Sequence, residues 1–169
     1  RHILNSEGIA HYPNAQFDLV RIGIGLFGLS SNRSFEQRLK PVIEWTSSIS
    51  QVKTIRPGES VGYGRTFVAE KDMRIAIIPI GYADGFKRSL SNGVGAVYIQ
   101  NQRCSVVGRV CMDMIMVNMG ELKIVANTKV EIIGKNQGLS QFAKDCQTIP
   151  YEILTSISPR VHRSYSEEE

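Results

Sequence analysis

At 169 residues, 42% of them hydrophobic and with six Phe, six Tyr and one Trp, the chain can bury a core and fits one domain, or one domain plus a piece of another. No window approaches the ~18 to 20 consecutive apolar residues of a membrane helix, so no membrane partner is expected. The formal charge of +4 invites a nucleic-acid reading. However, Arg21, Lys40, Lys53, Lys71, Arg88, Lys129 and Arg160 are scattered and not interleaved with aromatics, so they read as a solvated surface and no nucleic-acid partner is expected. Cys104, Cys111 and Cys146 are odd in number and share no C-x-x-C spacing, which argues against a disulfide framework or a zinc site and for a reducing, cytoplasmic setting. Three histidines, His2, His11 and His162, share no ligand spacing, so no metal is expected.

In chain order, Arg1-His2-Ile3-Leu4-Asn5-Ser6 carries neither an initiator methionine nor a signal-peptide core, and reads as the start of a piece cut from something longer. Phe17 to Phe27 is nearly continuous in apolar residues, the pattern of a strand buried on both faces in a parallel sheet. Arg21 interrupts it; a buried arginine is costly unless paired, so it is expected at the strand's end, facing an acceptor. Ser30-Ser31-Asn32-Arg33-Ser34 is polar and turn-prone, and marks the boundary region.

From about Leu39 the pattern is strand after short strand: Val42 to Val52, Ile75 to Ile80, Ala96 to Gln100, Arg103 to Val107, Met114 to Met119 and Val130 to Ile133. Pro57-Gly58 makes a turn, Asn101-Gln102 turns a hairpin, and Pro79 requires an edge or a bulge. Strands at this spacing predict a mainly β fold, a small antiparallel barrel or sandwich. After Gly134 the pattern turns helical, with Ser140 and Thr148 as N-caps and Pro150 opening a second short helix with Ile153, Leu154 and Ile157 as its apolar stripe.

Phosphate-loop, dinucleotide and nucleophile-elbow motifs are absent, and Asp84 and Asp113 stand as single carboxylates. The distinctive stretch is Val61-Gly62-Tyr63-Gly64-Arg65-Thr66-Phe67. Glycine inside a strand pattern marks a bulge or a close approach of backbone, and two of them leave the Tyr63 ring without bulky neighbours. Such a phenol could be a proton donor or acceptor, or equally a surface tyrosine at a strand-end bulge.

Asn5-Ser6, Val20-Arg21-Ile22-Gly23, Val61-Gly62-Tyr63-Gly64, Pro79-Ile80-Gly81-Tyr82-Ala83-Asp84-Gly85 and Gly108-Arg109-Val110-Cys111-Met112-Asp113, in this order and spacing, resemble the C-terminal half of bacterial alanine racemases. The likeness runs from Arg1 to about Tyr165. It implies that residues 1–38 are the last part of a truncated (β/α)8 barrel around its final strand, that 39–165 form the mostly β C-terminal domain with short helices, and that 166–169 are an acidic tail. The resemblance implies pyridoxal 5'-phosphate as cofactor, alanine as small-molecule substrate, and a head-to-tail homodimer serving D-alanine and peptidoglycan synthesis.

By the same resemblance, Ser6 and the N–H groups of Gly23 and Ile24 would hold the cofactor phosphate, and Arg21 would face its pyridine nitrogen. An arginine there leaves that nitrogen unprotonated and less charge delocalised into the ring, which favours return of a proton to Cα. Tyr63 matches the catalytic tyrosine that takes the α-proton from the L-isomer, opposite a barrel lysine that also forms the Schiff base. Met112 corresponds to the position whose N–H holds the substrate carboxylate, and Tyr82 and Asp113 to the entrance and its support. Some family members carry a tyrosine in a closing I-S-x-R-V motif; here that place is Pro159, so no site residue is assigned there. Lys40, Lys53, Lys71, Lys87, Lys123, Lys129, Lys135 and Lys144 match no Schiff-base motif, so the chain by itself, without an N-terminal barrel, is expected to be inactive. The competing readings are a racemase of serine or lysine, a decarboxylase of the same architecture, and a β module that only dimerises.

Overall fold

The computed structural model describes residues 1–166 and contains two compact units, Arg1–Glu44 and the segment from Trp45 onward. Past Ser166 the expected acidic tail lies outside the described residues.

The first unit is built from short helices and turns. Helix α1 (Ser6–His11) is capped by Asn5, whose side chain accepts from the Gly8 N–H at 2.9 Å. A 3-10 turn at Pro13–Ala15 follows, then another at Ile24–Phe27, and helix α2 (Arg33–Glu36) is capped in the same way by Asn32. The strand expected at Phe17 to Phe27 does not form. The run makes one parallel bridge, His2 to Leu19, and single backbone hydrogen bonds from Asp18 to Arg1 and from Arg21 to Leu4, but no strand ladder among the described residues. Phe17 takes a left-handed backbone (φ +48), the Ile24–Phe27 turn occupies the second half of the run, and Phe17, Leu19, Ile22 and Leu26 are exposed. An apolar run marks burial potential but does not choose between strand and turn, and a left-handed residue ends an extended ladder. Arg21 still finds an acceptor, donating from Nη2 to the Ile3 carbonyl at 3.1 Å.

The second unit is mainly antiparallel β, as expected. Strands β1 (Trp45–Ser48), β2 (Gln51–Ile55), β3 (Ser60–Val61), β4 (Phe67–Val68), β5 (Met73–Ile78), β6 (Ala96–Ile99), β7 (Gln102–Ser105), β8 (Ile115–Asn118) and β9 (Lys129–Ile133) form three sheets, ordered β1-β9-β6-β7, β2-β5-β8 and β3-β4. The ladders do not close into a barrel. The run from Val42 to Val52 is divided between sheets: the Ile49 N–H donates to Thr128 O at 3.0 Å and the Ser50 N–H to Ile77 O at 2.9 Å, handing the chain from one sheet to the next.

Pro79 stands just past the end of β5 and needs neither edge nor bulge; β5 is central, between β2 and β8. The β6–β7 turn is Gln100-Asn101, one residue earlier than expected, with both residues at positive φ (+49 and +64), as the twist of a two-residue hairpin demands. Helices α3 (Leu139–Asp145) and α4 (Pro150–Ser156) follow. Their N-caps are Gly138 and Ile149, not Ser140 and Thr148. Ser140 lies inside the first turn, and the Thr148 hydroxyl donates to the Glu152 carboxylate instead. No helix among the described residues is long and apolar enough to cross a membrane.

Two groups of side chains in the second unit bear on its loops and helices. Trp45, Phe86 and Phe142 meet edge to face at centroid distances of 6.0 and 5.8 Å, which seats α3. Val61, Ile75, Val107 and Met116 are buried together, with Ile55, Phe67, Met73, Ile77 and Cys111 against them. This second cluster is the floor of the loop that carries Tyr63.

Candidate active site

Tyr63 sits on the connection between β3 and β4, in a 3-10 turn over Tyr63–Arg65. Gly62 and Gly64 both have left-handed backbones (φ +77 and +72), which other residues adopt only with strain. A Cβ on Gly64 would also stand 2.9 Å from Nη1 of Arg109, so the guanidinium occupies the space a side chain would take. Lifted over this bend, the Tyr63 ring is 71% exposed. Thr66 Oγ1 donates to Asn92 Oδ1 at 2.9 Å, tying the loop's far side to the 91–93 turn. A cavity of about 330 Å³, open to solvent, lies at its foot, lined by Gly62, Tyr63, Cys111, Met114 and Met116.

Cys111 belongs to the second component, the loop 108–114. The Asn92 N–H donates to Gly108 O at 2.8 Å and the Val110 N–H to Ser91 Oγ at 3.0 Å, so the 91–93 turn braces this loop as well as the tyrosine's. Within it, the Cys111 N–H donates to Met114 O at 3.0 Å, closing a tight turn around Met112 and Asp113. The Met112 side chain is exposed. Burial pushes the Cys111 thiol above its ordinary value, partly offset by the positive charge of Arg88, so this sulfur is a weak nucleophile.

The third component, residues 81–86, lies against that turn. Tyr82 N–H donates to Cys111 O and Ala83 N–H to Met112 O, each at 3.0 Å. The two backbones are so close at Gly81 that a Cβ there would lie 2.2 Å from Met112 O, which only glycine permits. Tyr82 projects a half-exposed ring. Asp84 accepts from the Gly81 N–H at 2.7 Å on one carboxylate oxygen and from Arg160 Nε at 2.7 Å on the other. Arg160 Nη2 donates to Asp113 Oδ1 at 2.6 Å. The two carboxylates read from sequence as single are thus joined through one guanidinium.

The structure brings Tyr63, Tyr82, Met112 and Asp113 into the second unit's loops, and adds Arg109, Asp84 and Arg160, none of which was assigned a role from sequence. In the closing motif Pro159 supplies no contact of the expected kind, and the arginine beside it makes the link instead.

Ser6, Arg21, Gly23 and Ile24 lie in the first unit. Ser6 is 6% exposed, and its hydroxyl oxygen accepts from the Gly23 N–H at 2.9 Å and the Gly25 N–H at 3.3 Å. A Cβ on Gly23 would meet nothing within 4 Å. Glu7, next to Ser6, would be raised by its partial burial, but Ser31 and Ser30 donate to its carboxylate and His11 adds positive charge, holding it below its ordinary value.

Fold and loops together make a β domain that presents a phenol and backbone donors on hydrogen-bonded loops. The family model described as alanine racemase, C-terminal domain, matches residues 42–165, and the chain belongs to that family. An alanine racemase of Vesicomyosocius okutanii is 42% identical over 95% of this chain and 46% of its own length. The crystal structure of alanine racemase from Bartonella henselae with covalently bound pyridoxal phosphate superposes with a TM-score of 0.88 at 38% identity, covering 96% of this chain and 46% of that one. The enzyme from D-cycloserine-producing Streptomyces lavendulae gives 0.90 at 34% identity, over 100% and 46%. The chain spans about half the length of the relatives it matches.

Proposed function

We infer that the chain is the C-terminal part of a pyridoxal-phosphate-dependent alanine racemase that interconverts L- and D-alanine, and that Tyr63 is one of its two bases. The observation that carries this is Tyr63 itself, held out to solvent by two left-handed glycines in a chain of this family.

The first unit's residues fit a phosphate. The Ser6 hydroxyl keeps its own hydrogen to donate, the backbone around Gly23 has no side chain to obstruct an approach, and among the described residues the Ile24 N–H donates to no other group. Ser6 and Ile24 would hold the cofactor phosphate beside Gly23, whose own N–H already donates to Ser6 Oγ, and Arg21 would face the pyridine nitrogen. When bound, pyridoxal phosphate acidifies the α-hydrogen of the amino acid attached to it.

Inversion requires a base on each face of the substrate carbon, because a single base returns the proton to the side it came from. Tyr63 Oη takes the proton from L-alanine and supplies it in the opposite direction. The second base is the lysine of an N-terminal barrel, since none of this chain's lysines stands in a matching motif. The Met112 N–H holds the substrate carboxylate, and Tyr82 and Asp113 narrow and support the entrance. In the head-to-tail homodimer Tyr63 serves the cofactor of the partner subunit, which accounts for a phenol displayed outward. The setting is cytoplasmic, in the supply of D-alanine for peptidoglycan.

Tyr63→Phe in the full-length protein tests the assignment. Deprotonation of L-alanine is expected to fall ~10²-fold or more, with less damage to the D-alanine half-reaction. Unchanged turnover would mean that the domain only dimerises. Alanine is favoured over serine or lysine by the relatives, which are alanine racemases, and the decarboxylase reading is disfavoured by the same likeness and by Val110-Cys111-Met112-Asp113, a poor match for the cysteine motif such enzymes need.

A further inference from the structure

The closing segment Ile157-Ser158-Pro159-Arg160-Val161 carries a residue whose contacts converge on the loop around Met112. In a trans peptide the C=O and the N–H of one unit point in opposite directions, and no cis bond occurs among the described residues. The peptide joining Cys111 to Met112 has its carbonyl fixed by the Tyr82 N–H at 3.0 Å, so the Met112 N–H is aimed away from the 81–86 segment. The next peptide is fixed likewise by the Ala83 N–H. Among the described residues the Met112 N–H donates to no protein group, leaving it available to an anion.

What holds those two carbonyl pins is the conformation of residues 81–85. Asp84 closes that turn by accepting from the Gly81 N–H, and its other oxygen takes Arg160 Nε. Arg160 then reaches across the pinned seam to Asp113, the residue after Met112. The Asp84 carbonyl also accepts from the Ser158 N–H at 3.1 Å, so the closing segment grips the turn by backbone as well as side chain. A guanidinium is suited to this span because its planar fork offers separate donors to two carboxylates, which an ammonium cannot match.

We propose that Arg160 is a positioning residue that sets the direction of the Met112 N–H by bracing the 81–85 turn against Asp113, and so governs how tightly the carboxylate of the amino-acid substrate is bound. The substrate part of this statement rests on the racemase reading; the bracing part does not. Exposed ion pairs contribute little on average, and Arg160 and Asp113 are each nearly half exposed (47% and 46%), so the expected effect is local aim rather than global stability. Asp84, at 14%, is the sheltered end of the bridge.

Two measurements separate the parts. In this chain, Arg160→Gln should speed hydrogen exchange of the Tyr82 and Ala83 amides about tenfold while β5 and β8 amides keep their rates. Unchanged exchange at Tyr82 and Ala83 overturns the proposal, whatever the chain catalyses. In the full-length protein the same variant should raise KM for alanine about tenfold with kcat within about threefold, and leave the cofactor absorption band unmoved. Arg160→Lys should recover part of that KM loss, because it restores the charge but reaches one carboxylate at a time. Faster exchange with an unaltered KM sinks the positioning role, whereas a wild-type protein without racemase activity sinks the racemase reading and leaves the exchange result standing.

Discussion

At the scale of single residues, the site depends on backbone conformations that only glycine holds cheaply. Gly64→Ala places a Cβ in a left-handed position and against the Arg109 guanidinium. The left-handed conformation costs about 1–2 kcal/mol for a residue with a side chain. Arg109 is flexible and can move aside, so strain sets the size of the effect. Urea denaturation should therefore show a loss of about 1–2 kcal/mol; on the proposed reading, turnover of the full-length protein should fall further because the Tyr63 ring is re-aimed. Tyr63→Phe should leave stability almost untouched, since the hydroxyl lies on an exposed ring. The glycine pair and the tyrosine were legible in the sequence because their local pattern is unusual. Arg160 was not, because its partners lie 76 and 47 residues away and no local pattern announces them.

At the scale of elements, α1 of the first unit is joined to the 30–31 turn through Glu7, which accepts from the Ser31 N–H at 2.8 Å and from two serine hydroxyls. A carboxyl held below its ordinary value of 4.5 adds stability that is fully present above that value and is lost as pH falls through the lower, folded one. The first unit should accordingly loosen at pH values below about 4.5, followed by exchange of the Ser31 amide, and Glu7→Gln should remove that dependence. The strands from β5 to β9 were read correctly in type because their β-branched runs are short and bounded by turn residues. Phe17 to Phe27 was misread because its residues are equally apolar, and what breaks the strand, a left-handed Phe17 and a tight turn at Ile24–Phe27, leaves no mark in composition. Helix starts at α3 and α4 slipped by two and one residues: Ser140 is a good cap type that lies inside the first turn, and Thr148 is one whose hydroxyl goes to Glu152.

At the scale of the whole molecule, the relatives that share this β domain are about twice as long as this chain, and the proposed chemistry needs groups from outside it. What the second unit contributes is a set of loops braced from below by one hydrophobic cluster and from the side by the 91–93 and 81–86 segments.

The passage of the chain from β1 to β2 at Ile49-Ser50 also bears on how the domain comes apart. Those two neighbours hydrogen-bond to different sheets, so neither ladder can open without dragging on the other. Trp45, the single tryptophan, lies in the four-stranded sheet and touches Phe142, yet its fluorescence should follow the melting of both sheets. Within the second unit, Trp45 fluorescence and the exchange of β5 amides are expected to report one coincident transition. A two-glycine insertion between Ile49 and Ser50 should pull the transitions apart, leaving a tryptophan that reports on one sheet alone.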